Sequence, residues 1–168
     1  MTVAVVMGVS GSGKTTIAEG VSRRLGWLLE EGDKFHPPAN VEKMSHGIPL
    51  TDDDRWPWLR AIADAIDDVR AGGRSAVVAC SALKRAYRDV LIGDRPDVVL
   101  VYLQGDKEQI AERMAARKGH FMPVALLDSQ FATLEEPGPD EHPVIVSIAP
   151  PPEAIIEEVV RQLKERAA

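Results

Sequence analysis

Three glycines within six positions, Gly8, Gly11 and Gly13, run directly into Lys14-Thr15, so that residues 8–15 read Gly-Val-Ser-Gly-Ser-Gly-Lys-Thr. The run before them, Val3-Ala4-Val5-Val6-Met7, is wholly apolar, and Ile17, Val21 and Leu25 after them recur at i, i+4 and i+8 until Gly26. An apolar strand, a glycine loop and an amphipathic helix in that order constrain this stretch to a strand–loop–helix unit of an α/β protein. Glycines let such a loop wrap so that successive backbone N–H groups point inward at an anion, and the helix N-terminus adds its partial positive charge. Lys14 then reaches the β and γ oxygens of a nucleoside triphosphate, and Thr15 holds Mg²⁺. Gly8, Ser10, Gly11, Ser12, Gly13, Lys14, Thr15 and Thr16 are the candidate phosphate-binding residues. The alternative is a glycine-rich turn with no ligand.

A chain of 168 residues is about one domain and long enough to bury a full core without disulfides. The single cysteine, Cys80, has no partner within the chain, which fits a reducing compartment, the cytoplasm, and a buried apolar role. The first residues carry no basic segment ahead of an apolar one, and no run approaches the length of a membrane span. A net charge of −6 argues against a general electrostatic grip on nucleic acid. Anionic ligands must be met locally, and basic clusters occur at Lys84/Arg85/Arg88 and Arg113/Arg117/Lys118.

β-Branched runs at Val3–Met7, Trp27–Leu29, Ser75–Cys80, Val98–Leu103 and Val144–Ile148 alternate with helical periodicity at Lys14–Leu25, Pro57–Ala71, Leu83–Leu91, Lys107–Arg117, Val124–Leu134 and Pro152–Arg166. This alternation predicts a single domain, 1–168, with a parallel sheet. Pro57 suits a first helical turn and Asp106 a helix cap. Two polar segments interrupt the pattern: Asp33–Arg55, with its acidic run Asp52-Asp53-Asp54, and Lys118–Pro123. They suit an acceptor-side flap, about 33–58, and a lid, about 117–124, of a small phosphotransferase.

A glycine loop alone does not choose among nucleotide-dependent machines. No Asn-Lys-x-Asp tetrapeptide reads guanine, and the strand ending Ala79-Cys80-Ser81 lacks the acid pair of motor ATPases. Small-molecule kinases place an acid at the end of the second strand, where Glu31-Gly32-Asp33 stands. A hydroxyl attacking phosphorus must lose its proton, so Asp33 is the candidate base, and Glu31 is the acid that holds Mg²⁺ through water. A solvated acidic loop is the alternative.

Several blocks carry a more specific likeness: Gly32-Asp33-Lys34-Phe35-His36-Pro37, Asn40-Val41-Glu42-Lys43-Met44, Gly47-Ile48-Pro49-Leu50-Thr51-Asp52-Asp53-Asp54-Arg55 with Pro57-Trp58-Leu59, Cys80-Ser81-Ala82-Leu83-Lys84 with Tyr87-Arg88-Asp89, Arg117-Lys118-Gly119-His120-Phe121-Met122, and Leu134-Glu135-Glu136-Pro137. Over residues 4–148 the chain resembles the small gluconate kinases. That resemblance implies ATP-dependent phosphorylation of D-gluconate at O6, an adenylate-kinase-like parallel sheet of order 2-3-1-4-5, and a homodimer. One departure is Glu31, where the family often carries aspartate; a longer carboxylate still reaches a metal-bound water, which weakens the metal role and leaves the base role intact. The alternatives are a kinase of another polyhydroxy acid or shikimate-like alcohol, and a catalytically silent ATP-binding sensor.

An acid sugar needs cations at one end and mixed donors and acceptors along its length. Ser81, Lys84 and Arg88 follow the third strand, where open α/β sheets bind ligands, and Lys84 and Arg88 are spaced i, i+4 to meet the carboxylate; a solvated basic helix face is the alternative. His36 donates to a substrate hydroxyl or serves as a loop histidine. Arg55 is held by Asp52 or Asp54 and turned toward substrate, or forms a surface pair. Trp56 and Trp58 pack the flap. Arg113 and Arg117, with Lys118 and His120, close over the transferring phosphoryl group, with Arg113 nearer the adenine and α-phosphate by analogy with related kinases and Arg117 the catalytic member. Gln130 reaches gluconate across the closed cleft or faces solvent. The Ala149–Pro152 loop packs on adenine or is a simple turn.

Overall fold

The computed structural model describes residues 1–116 and 124–167. Five strands, β1 (Val3–Met7), β2 (Leu28–Glu31), β3 (Ala76–Ala79), β4 (Val98–Gln104) and β5 (Val144–Ser147), form one sheet of order β2-β3-β1-β4-β5 in which every pairing is parallel. The expected fold class and strand order are found. The described helices are α1 (Lys14–Leu25), α2 (Pro38–Ser45), α3 (Asp52–Ala71), α4 (Arg85–Leu91), α5 (Lys107–Ala116), α6 (Val124–Thr133) and α7 (Pro152–Ala167). None of them is long and apolar enough to cross a membrane.

Alternation along β1 divides the core into two layers. Ala4 and Val6 face one side, where they pack with Ile17, Ala18 and Val21 of α1 and Ile155, Ile156, Val159 and Val160 of α7. Val3, Val5 and Met7 face the other, against Leu59, Ile62 and Ile66 of α3 and Tyr87 and Leu91 of α4. All five residues of β1 are buried, as a central parallel strand covered by helices on both faces requires.

Two elements differ from expectation. α3 begins at Asp52, five residues before Pro57: the Thr51 hydroxyl accepts from Asp54 N at 3.2 Å, and the Asp54 carboxylate accepts from Thr51 N at 2.9 Å. This reciprocal cap, with three acids in the first turn, stabilises a helix start that tolerates Pro57 inside it. α2 lies within the stretch expected to be an irregular flap. Asn40 is its one buried residue, while Val41 and Met44 stand exposed, so no apolar stripe marked it. Asp106 caps α5 as expected, its Oδ1 accepting from Gln109 N at 2.8 Å while Gln109 Oε1 accepts from Asp106 N at 3.0 Å.

Parallel pairing sends every strand out at the same edge. Glu31 and Val6 both register with Ala79, so the loops after β1, β2 and β3 emerge side by side. Gly8 N donates to Ser81 O at 3.4 Å and Cys80 N to Val6 O at 3.1 Å, joining the first and third of these loops.

Candidate active site

The first loop ends at Gly13, which has φ 92° and caps α1 without a side chain. Only glycine takes that conformation without strain, and it leaves the first N–H groups of α1 open toward the loop. The first turn of α1 holds no acid to compete for them. Lys14 folds back over the loop, its Nζ donating to Gly8 O at 3.0 Å and Val9 O at 3.2 Å. Burial lowers the Lys14 pKa from its ordinary value, against the opposing pull of Cys80, Asp33 and Glu31. A partly desolvated ammonium held over the loop carbonyls, at the open end of a helix and within the electrostatic reach of two carboxylates, is arranged to meet phosphate oxygens.

Thr15 Oγ1 donates to Glu31 Oε2 at 3.4 Å, so the end of β2 lies against the start of α1. A hydroxyl and a carboxylate oxygen side by side are hard oxygen donors of the kind Mg²⁺ takes, and no cluster of three or more His, Cys, Asp or Glu forms a full protein cage among the described residues. That donor set fits an ion bound jointly with phosphate and water.

After β2 the chain makes a 3₁₀ turn, Gly32–Phe35. A Cβ on Gly32 would lie 2.5 Å from Ala79 O, so only glycine lets the turn approach β3 this closely. Trp58 Nε1 donates to Gly32 O at 2.7 Å from the buried face of α3. The turn leaves Asp33 exposed at the edge, near enough for its charge to act on Lys14. His36 stacks on the Trp58 ring with centroids 4.2 Å apart and planes inclined by 13°. Trp58 thus packs the flap as expected and is also the floor under His36; Trp56 lies edge-on to Tyr87 at 5.5 Å.

Arg55, Lys84, Asp52 and Tyr87 form one cluster. The Tyr87 hydroxyl accepts from Arg55 Nη1 at 2.9 Å and donates to Asp52 Oδ1. Lys84 Nζ donates to both Asp52 oxygens, at 3.1 and 3.2 Å. Burial and the Asp52 hydrogen bond raise the Tyr87 pKa, keeping the phenol protonated. The Asp52 hydrogen bond also raises that of Lys84. Arg55 is therefore linked to Asp52 through Tyr87, a hub that sequence spacing did not reveal.

Arg88 does not join them. It is 1% exposed, with Nε and Nη2 on Glu141 at 2.7 and 3.2 Å and Nη1 on Ala82 O and Leu83 O at 3.0 and 3.1 Å. Lys84 is the N-cap of α4, in extended conformation, so the i, i+4 spacing does not put the two on one helix face. The expected Lys84/Arg88 carboxylate clamp is corrected: Arg88 supports the backbone carrying Ser81 and Lys84, including Ala82 at φ 44°. Ser81 itself is half-buried beside the glycine loop.

Gln130 is neither solvent-facing nor turned to the acceptor: its Oε1 accepts from Ser10 N at 2.7 Å, tying α6 to the glycine loop. Arg113 Nη2 donates to Pro150 O at 2.9 Å, which brings the Ala149–Pro152 loop beside α5. Arg113 and Pro152 line a cleft of about 290 Å³ with Gly11, Ser12, Gly13 and Thr16. Cys80 is buried, and burial pushes its thiol pKa up to about 12, leaving it inert as expected. Arg117, Lys118 and His120 lie outside the described residues.

Residues 3–137 match an AAA domain. A gluconokinase of Gluconobacter oxydans is 51% identical over 95% of this chain and 90% of its own length. The thermoresistant gluconokinase of Escherichia coli is 44% identical over 96% and 93%. The crystal structure of a gluconokinase from Sinorhizobium meliloti superposes with a TM-score of 0.91 at 47% identity, covering 99% of this chain and 93% of that one. With a phosphate loop set against an acidic strand end, and identities of this size along nearly its whole length, the chain belongs to the gluconokinase family of P-loop kinases.

Proposed function

We propose that this chain transfers the γ-phosphoryl group of ATP to the O6 hydroxyl of D-gluconate, giving 6-phospho-D-gluconate and ADP. The observation that carries this reading is the Thr15–Glu31 contact at 3.4 Å, which sets the turn bearing Asp33 beside the donor loop and its Lys14 at one edge of the sheet. The near-full-length likeness to gluconokinases supplies the acceptor.

The chemistry follows from those positions. Loop N–H groups and Lys14 hold the β and γ phosphates, with Arg113 flanking them and Arg117 the expected closing cation. Asp33 takes the O6 proton as the oxygen attacks phosphorus; the new O6–P bond forms as the bond to the bridging oxygen breaks, and ADP leaves with that electron pair. Thr15 directly, and Glu31 through water, are the residues to hold Mg²⁺, which neutralises charge on the transferring group when bound. Lys84, on Asp52, and Arg55, on the Tyr87 hydroxyl, are the cations for the gluconate carboxylate, while Ser81, His36 and His120 serve its hydroxyls. The resemblance extends to a homodimer, and the single unpaired cysteine fits a cytoplasmic setting.

The test is a coupled assay with ATP, Mg²⁺ and a panel of aldonates and shikimate. Gluconate should be the preferred acceptor, and no ADP above background with gluconate would overturn the reading. Lys14→Ala should lose nearly all kcat. Asp33→Asn should lose a factor of about 10²–10⁴ in kcat while still binding ATP; a near-normal rate would remove Asp33 as the base.

A further inference from the structure

Ser12, Asn40 and Arg88 are the buried polar residues among those described. Ser12 lies in the glycine loop and Arg88 is paired with Glu141; Asn40 sits 3% exposed on a helix that otherwise turns its side chains outward. α2 leaves Val41 51% and Met44 44% exposed. A helix that buries an amide in preference to its apolar residues is organised around that amide.

The partners of Asn40 determine which way its amide points. Nδ2 lies 2.8 Å from the backbone carbonyl of Asp54, an atom that only accepts, so the amide atom there must be the NH₂ group. The same nitrogen lies 3.2 Å from His36 Nδ1. One amide hydrogen goes to Asp54 O and the other faces Nδ1, which must offer a lone pair to it. A hydrogen on Nδ1 would set two N–H groups against each other. The ring proton therefore belongs on Nε2, an atom with no hydrogen bond to any described residue.

We propose that Asn40 is a positioning residue that holds His36 as the neutral Nε2–H tautomer, so that the acceptor side of the site presents an N–H donor and no second base beside Asp33. The inference rests on the reading of His36 as a group that meets gluconate. Its geometry is tied to the turn through one indole: the ring lies on Trp58, and Trp58 is anchored to Gly32 O, the residue before Asp33. The one basic lone pair of the imidazole is occupied by the amide, which leaves the Asp33 carboxylate as the group able to take the O6 proton. A neutral Nε2–H then donates to a substrate hydroxyl oxygen. Of the charged groups near His36, Asp33 favours its protonation and Arg55 opposes it; burial, the largest influence, acts with Arg55 against Asp33 and lowers the pKa below the ordinary histidine value.

The experiment is long-range ¹H–¹⁵N correlation on the full chain carrying ¹⁵N-histidine, with His36→Gln identifying the His36 signals. The free protein should show the Nε2–H tautomer, persisting below the pH at which an ordinary histidine protonates. An Nδ1–H tautomer, or a mixture of the two, overturns the inference without any variant having to fold. Asn40→Asp replaces the donor with a carboxylate that accepts from an Nδ1–H. It should move the His36 proton and raise KM for gluconate about tenfold, the scale of one lost hydrogen bond, with a smaller change in kcat. A folded Asn40→Asp protein with unchanged His36 signals would equally overturn it. Adding gluconate should shift the His36 Nε2 resonance. A locked tautomer that gluconate leaves unmoved would sustain the role of Asn40 in the fold and remove His36 from the substrate site, which separates the two readings.

Discussion

Arg88 and Lys84 stand four residues apart, one sealed under the loop after β3 and the other at its surface on Asp52. The difference follows from what each can satisfy. Arg88 directs Nε, Nη1 and Nη2 to two carbonyls and a carboxylate, and Glu141 keeps its charge despite desolvation because Arg88 and the Gly138 N–H hold it. Removing one member of a buried pair strands the other, which costs about 3–5 kcal/mol. Arg88→Met should therefore lower unfolding free energy by about that amount in urea titrations. A fully stable Arg88→Met protein with only KM for gluconate raised would return Arg88 to the substrate site. Basic character near a strand end was legible from composition; which basic residue is enclosed was not, because Glu141 arrives from more than fifty positions away.

At the scale of elements, the flap is a joint between α2 and α3. Lys43 of α2 bonds the Asp54 carboxylate of α3 at 2.7 Å, and Asn40 bonds the Asp54 carbonyl. The Lys43 ammonium, with the Thr51 N–H, pulls the Asp54 pKa from 3.8 down to about 2. A carboxylate with a depressed folded-state pKa contributes stability that is complete above its unfolded pKa and is lost as pH falls through the folded one. The α2–α3 joint should thus weaken between about pH 4 and pH 2. ¹³C-carboxyl NMR should find Asp54 titrating in the low part of that range, and Asp54→Asn should abolish the acid dependence at the joint. An Asp54 that titrates as an ordinary carboxylate would contradict the contact. The start of α3 was written in Thr51-x-x-Asp54, but Pro57 is the more conspicuous sign and a helix that admits proline in its second turn hides its own beginning.

At the scale of the molecule, the order β2-β3-β1-β4-β5 puts β1 between the acceptor loops on one side and α5 and α6 beyond β4 on the other. The glycine loop is therefore contacted from both directions. Gln130, reaching in from α6, occupies the Ser10 N–H, and Arg113 links α5 to the loop before α7. Gln130→Leu removes the acceptor from a part-buried N–H and should raise KM for ATP several-fold, about one hydrogen bond's worth, with gluconate KM little changed. Steady-state kinetics with each substrate varied in turn separate the two, and a rise confined to gluconate would place Gln130 across the cleft instead.

Local pattern alone determined the phosphate loop, the parallel α/β class and the acid at the end of β2, because each rests on residues adjacent in the chain: glycines that wrap, β-branched runs that bury on both faces, and a carboxylate one turn past a strand. The resemblance extended this to the strand order and the acceptor. Only the tertiary structure decided that Arg88 is enclosed, that Tyr87 joins Arg55 to Asp52, that Gln130 serves the glycine loop, and that Asn40 holds His36. Those contacts depend on which side chains the packed layers bring within about 3 Å, and hydrogen-bond satisfaction in a closed interior is settled by three-dimensional neighbours rather than by spacing along the chain.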